Sequence, residues 1–279
     1  MRYRICSLVT LLLPVVTGAC AMSAWAAPAA PAAQSTTAAT TQPSVGKSLS
    51  QGMAYATLRK HLLDAGWLPL RDPQCWSNIG GEAPVCNQLP EVQSCSVDGR
   101  CIMRFASRDE RAQIRVGTDG PYERWNVPGE EKSLKVLHWE FSGLDAVSPA
   151  TCPSHDFDAF LKAFASNNDV KQAFISPLVK VAELQSDDNG DHLQWVYVAA
   201  ADYATDQHAF NVSYRNNAFH FVDADGKVDP APLRLNIAPA GKQGRTVRYL
   251  YGMSEGNSYR FEDESGCWHL TEDPQPPSA

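Results

Sequence analysis

The 279-residue sequence lacks several of the short motifs that mark common enzyme chemistries. It has no His-Glu-x-x-His pair, no phosphate-binding glycine loop and no Gly-x-Gly-x-x-Gly fingerprint. Its seven histidines are scattered. No two cysteines stand three positions apart, the spacing a zinc site would favour. Basic residues are also short, 24 Lys and Arg against 31 Asp and Glu. That balance argues against nucleic acid and anionic lipid surfaces as partners, because phosphate binding needs clustered Lys and Arg. Beyond Ile5–Val16 there is no long apolar run, and that one falls short of the roughly 20 residues a membrane span needs.

What is there begins with an export signal. Arg2 and Arg4 precede the Ile5–Val16 run, as in a secretory leader. Two exits are open. Ala24-Trp25-Ala26 is a small-x-small cleavage site that makes 1–26 a signal peptide. Thr17-Gly18-Ala19-Cys20 is similar to a bacterial lipobox, which would end the leader at 19 and place a lipid on Cys20. Loss of residues 1–26 removes Arg2 and Arg4 but no acid, moving the net charge from −7 to −9. The expected location is the periplasm, with the membrane reached only through that lipid. Residues 27–50, rich in Ala, Pro, Ser and Thr, read as a flexible linker.

Six cysteines follow in two even groups. In an oxidising compartment they are expected to form disulfides. Cys75, Cys86, Cys95 and Cys101 admit three connectivities, of which Cys75–Cys86 and Cys95–Cys101 are favoured as local loop closures. Cys152 and Cys267 form the second group. The groups accompany two modules, 52–142 and 152–272, each a helical segment followed by antiparallel strands. The fold class is therefore α+β. In the first module Tyr55, Leu58, Leu62 and Ala65 share a helical face ending at Gly66, and strands are expected at 101–105, 113–117, 124–127 and 134–141 as a four-stranded meander. In the second, Phe157, Phe160, Leu161 and Phe164 form an apolar stripe behind the candidate caps Ser154 and Asp156. A short helix at 170–174 and a long antiparallel sheet should follow.

Candidate chemistry is thin. Ser154-His155-Asp156 has the residue types of a triad, but adjacent side chains point apart and cannot relay a proton. Asp187, Asn189 and Asp191 copy half of a calcium loop, yet Val198 stands where the bidentate glutamate belongs, so the segment reads as a turn. Nothing selects a glycosidase carboxylate pair. No cofactor, metal or catalytic residue is expected. Surface remains: Trp76 and Trp125, with Trp139 nearby, and the acidic tips Glu130-Glu131, Asp187-Asp188 and Glu262-Asp263-Glu264. Aromatic anchors and acidic tips suit a protein partner, preferably a basic one.

Several motifs resemble a known group. Tyr55-Ala-x-Leu58, Gly66-Trp67-x-Pro69, Leu89-Pro90-Glu91 and Cys95-Ser96-x-Asp98-Gly99-x-Cys101 look like a module of exported gammaproteobacterial proteins. Cys152-Pro153, Phe157-Asp158-x-Phe160-Leu161-x-x-Phe164, Gln172, Pro177-Leu178 and Gly266-Cys267-Trp268-x-Leu270 resemble a second envelope domain with a cystatin-like fold. Together they are similar to periplasmic immunity proteins of antibacterial secretion systems. The resemblance implies a non-enzymatic inhibitor that binds a secreted effector. The alternative is a non-catalytic ligand-binding or assembly module of the envelope.

Overall fold

The structure, a computed structural model, describes residues 43–79, 83–109, 111–144, 151–187, 190–205, 209–251 and 255–273. The leader, its cleavage sites, Cys20 and Asp188 lie outside the described residues. The fold is α+β, with three disulfides at Cys75–Cys86, Cys95–Cys101 and Cys152–Cys267.

In the first module, helix α1 (Tyr55–Asp64) buries Tyr55, Leu58 and Leu62, the residues at helical spacing. Gly66 ends it with φ +80°, a left-handed conformation that glycine adopts without strain. The chain then runs through β1 (Leu68–Pro69), short helices α2 (Cys75–Asn78) and α3 (Ala83–Gln88), and strands β2 (Val92–Cys95), β3 (Arg100–Ser107), β4 (Ala112–Asp119) and β5 (Lys135–Gly143). Strands β3, β4 and β5 form an antiparallel meander, while β1 and β2 both pair with β3. Met103, Phe105, Ile114 and Val116 point inward beneath α1 and Trp67.

A buried ionic cluster fixes α1 to the cysteine loop. Glu91 is fully buried and accepts from Tyr55 Oη at 2.7 Å and Arg59 Nε at 2.5 Å. Pairing and hydrogen bonding compensate the cost of that buried carboxylate.

The second module opens with α4 (Phe157–Ser166) and α5 (Asn168–Ala173). Asp156 caps α4 by accepting from Ala159 N, and Ser154 Oγ accepts from Asp156 N at 3.1 Å. Strands β6 (Ile175–Asp187) and β7 (Gly190–Ala199), helix α6 (Ala200–Thr205), and strands β8 (Val212–Arg215), β9 (Ala218–Phe221), β10 (Asn236–Ala240), β11 (Gly244–Tyr251), β12 (Glu255–Glu264) and β13 (Cys267–Asp273) complete it. Six strands form one sheet in the order β10-β11-β12-β13-β6-β7, and β8-β9 form a separate hairpin. The phenylalanine stripe of α4 faces that sheet: Phe157 meets Trp268 edge-on at 4.9 Å, and Phe164 meets Phe261 at 5.3 Å. Such tilted pairs contribute beyond their buried area.

Four expectations need correction. Residues 124–127 are not a strand: Tyr122 is buried in a 3-10 turn, and Arg124 pairs with Glu130 across the connection, so the first meander has three strands. The second sheet is not wholly antiparallel, because β13 pairs with β6 in parallel. The strand that the sequence pattern places at 233–237 lies instead at Asn236–Ala240, with Leu233 making only an isolated bridge to Phe219. The linker does not reach residue 50: Ser44–Ser48 form a 3-10 turn, and Val45 and Leu49 bury themselves in the first core.

The modules join along β7. Leu70 makes a parallel bridge to Tyr197, and Arg71 N donates to Tyr197 O at 2.7 Å. Leu70, Ala106, Leu178 and Ala199 form a small buried cluster at the join, flanked by Leu68, Leu144 and Tyr197. Two arginines form ion pairs across it. Arg104 pairs with Asp202 at 2.7 Å, and Arg71 with Glu183 at 2.9 Å.

Candidate functional site

A cavity of about 250 Å³ opens in the second module. Its first wall is α5, which starts because Asn167 Oδ1 accepts from Asp169 N and Val170 N. Asn168, Lys171 and Gln172 stand at i, i+3 and i+4 and so share one face of that helix. Tyr203, Ala204, Ala209, Phe210 and Asn211 make the second wall. Val222, Asp223, Ala224 and Gly226, from the turn after β9, make the third. That turn is held by Asp223 Oδ1, which accepts from Asp225 N at 3.1 Å and Lys227 N at 2.8 Å.

Lys171 is the charged group of the α5 wall. Its Nζ donates to Phe210 O at 3.4 Å and stands 5.4 Å from the Phe210 ring centroid. Burial lowers its pKa, since desolvation disfavours an ammonium. Among the described residues no carboxylate pairs with it.

The Phe210–Asn211 wall is fixed from behind. Asn211 Oδ1 accepts from Tyr249 Oη and Tyr259 Oη, each at 2.5 Å. Phe210 N donates to Tyr203 Oη at 3.1 Å, and Tyr203 Oη donates to Asp273 Oδ2 at 2.8 Å. Asn257 Nδ2 closes the network, donating to Asp273 Oδ1 at 3.0 Å and Tyr259 Oη at 3.1 Å. Burial is the chief cause that raises all three tyrosine pKa values, Tyr249 to about 12. The phenols thus stay neutral at physiological pH and act as hydrogen-bonding struts. With its partners satisfied, such a network gives a stiff wall. The arrangement can hold a small molecule in a shaped, partly apolar space with one cation and several amides.

A second space, about 280 Å³, opens at the module join. Arg108, Arg111 and Leu144 face Ser176, Pro177, Leu178, Glu264 and Ser265 across it. Arg108 stacks over Tyr197 at 5.2 Å and donates toward Leu178 O at 3.5 Å.

Of the candidate partner-binding residues read from sequence, Glu264 lines the cleft at the join and accepts from Ser176 Oγ at 3.3 Å, and the other described ones line neither space. Trp76 is 41% exposed on α2. Trp125 packs against the first core beneath Arg59, whose guanidinium stands 5.1 Å from its ring, so it is no free anchor. Trp139 also packs there. Glu130 pairs with Arg124, Glu131 accepts from Gly129 N at 3.1 Å, Glu262 takes Arg260 Nη2 at 2.8 Å, and Asp263 accepts from Gly266 N at 3.0 Å. These acids are engaged by close neighbours in the chain. Asp187 ends β6 at the hairpin tip.

Two features escaped sequence reading. One is the cavity, whose walls lie up to 58 positions apart, from Asn168 to Gly226. The other is an apolar face on the β6–β7 hairpin, where Leu184 and Leu193 are register partners and are 65% and 45% exposed. Trp195, 45% exposed, continues that face under Lys180 Nζ, 4.2 Å from its ring centroid. The period-two pattern Leu193, Trp195, Tyr197 carried that signal.

No protein-family model matches the sequence, and no curated protein matches it. Among solved structures it is similar to an NTF2-like protein from Bacteroides fragilis, with 10% identity over 61% of this chain and a TM-score of 0.28. The chain spans 62% of the length of that structure, and the likeness is too slight to carry an argument.

Proposed function

We propose that this chain is an exported, non-catalytic binding protein of the cell envelope, whose second module holds a small ligand in the Lys171 cavity. The observation that supports this most is the cavity itself: a concave, partly apolar lining, convergent polar groups and a stiff hydrogen-bonded backing are features of a binding site. Export is supported by the charged, apolar leader, and an oxidising compartment by the three disulfides. Native mass spectrometry of the protein drawn gently from periplasm should show a bound small molecule. Ala209→Trp, which fills the cavity, should release it. A ligand-free spectrum, together with no thermal shift from any small molecule in a broad panel, refutes this reading.

A second reading is favoured by the β6–β7 hairpin. Leu184, Leu193 and Trp195 present an apolar strip beside a tip carrying Asp187, Asp188 and Asp191 in sequence. That combination suits a basic protein partner with an apolar knob, as an immunity protein blocking a secreted effector would need. Pull-down from periplasmic extract with the native protein and with Trp195→Ala tests it. Equal recovery of every partner by both proteins removes the hairpin from consideration.

A further inference from the structure

We infer that the ligand of this cavity is a small monocarboxylate whose anionic group pairs with Lys171; the inference rests on the cavity being a binding site.

The lysine is the starting point. A half-buried ammonium with only a long hydrogen bond to Phe210 O has lost water without gaining a counter-charge. The cost of such a cation is relieved when an anion joins it. Asn168 and Gln172, on the same helical face, place amide donors beside the ammonium and favour an oxygen ligand.

The rest of the cavity limits the kind of anion. Asp223 stands on the third wall, and two backbone N–H groups on its Oδ1 offset part of its charge. It still opposes a dianion. A phosphate would also call for several cations or a bidentate arginine, whereas Lys171 is the only cationic side chain among the described lining residues. A single carboxylate satisfies one ammonium. Ile175, Phe210 and Val222 offer apolar surface for the remainder of the molecule. At roughly 30 Å³ per water, 250 Å³ is the space of about eight waters, so the ligand has on the order of ten non-hydrogen atoms or fewer.

Matched probes test this in the full exported chain with its disulfides formed. Hexanoate, hexan-1-ol and hexylamine share one carbon skeleton and differ in charge. Titration followed by amide NMR should show hexanoate binding at least about tenfold more tightly than hexanol at neutral pH, with hexylamine weakest; tenfold corresponds to ~1.4 kcal/mol. Binding of hexanoate should also raise the Lys171 Nζ pKa. In Lys171→Gln the advantage over hexanol should vanish while hexanol affinity changes less than twofold, and Lys171→Arg should keep the advantage. A native-like amide spectrum for each variant establishes that the fold is retained. Equal binding of hexanoate and hexanol by the native protein, or a hexanoate advantage that survives Lys171→Gln, overturns the carboxylate inference and leaves the cavity reading standing. If none of the three shifts any residue of the cavity wall, the cavity reading falls too.

Discussion

The Arg71 guanidinium bridges the two modules: it donates to the Cys86 carbonyl of helix α3 in its own module and stands 2.9 Å from Glu183 Oε2 on β6 of the other. Arg71 is almost wholly buried, while Glu183 keeps some contact with solvent. Breaking one side of a buried pair strands the other. Arg71→Ala is expected to cost about 3 kcal/mol. Calorimetry should show one transition for the native chain and separate melting of the two modules in the variant. Unchanged calorimetry would mean that the apolar cluster at the join suffices alone.

Glu91 offers a second test of buried charge. Glu91→Gln keeps shape but removes the anion that Tyr55 and Arg59 share. Chemical denaturation should show a loss of about 3 kcal/mol. The carboxylate also takes part in raising the Tyr55 pKa after burial, so tyrosine titration should report Tyr55 closer to its ordinary range in the variant.

Lys171 should behave in the opposite sense. Its folded pKa lies below the ordinary 10.5, so the unfolded chain holds the proton more readily between those two values. Stability therefore rises with pH through that window, and at neutral pH the full cost of the buried charge is present. Lys171→Met should raise the stability of the ligand-free protein, by about 1 kcal/mol, while abolishing carboxylate binding. A destabilised Lys171→Met protein would contradict this account.

Tyr203, Tyr249 and Tyr259 predict alkaline unfolding. Their folded pKa values are raised above the unfolded value of 10.0, Tyr249 to about 12. The stability they contribute is fully present below pH 10 and is lost as pH climbs from 10 toward 12 and beyond. Tyrosinate absorbance and loss of secondary structure should rise together in that range. Absorbance from these three rising before the structure melts would refute the strut role.

Cys152–Cys267 closes a loop with a sequence separation of 115. Replacing both cysteines by serine should cost on the order of 4–5 kcal/mol in the chain-entropy model. The shorter Cys75–Cys86 and Cys95–Cys101 loops, with separations of 11 and 6, should cost less. Denaturation of each double variant ranks the three directly.

What the sequence made legible was local. Helices α1 and α4 were visible because their apolar residues recur at helical spacing and burial needs one such face. The disulfide pairs were visible because short loops and bracketing positions leave few sensible choices. Residues 124–127 misled, since a run of Arg-Trp-Asn-Val suits a strand until Tyr122 is drawn into the core. The parallel pairing of β13 with β6 had no local mark, because the partners Leu270 and Ile175 stand 95 positions apart in the chain. The same holds for the cavity. Gln172 was noted as part of a motif, and Lys171 beside it passed unremarked, since a lysine becomes unusual only when distant segments take its water away. The acidic clusters were read too generously in freedom: Glu130 and Glu262 spend their charge on neighbouring arginines.

Strand β7 is the last strand of its sheet, and Leu70 lies against it at Tyr197. The first module is therefore a chaperoning cap as well as a neighbour. It shields hydrogen-bonding groups that would otherwise recruit another chain, and it covers Leu178 and Ala199. A fragment starting near residue 152 would bare both at once and should self-associate, so the second module is best handled with the first attached.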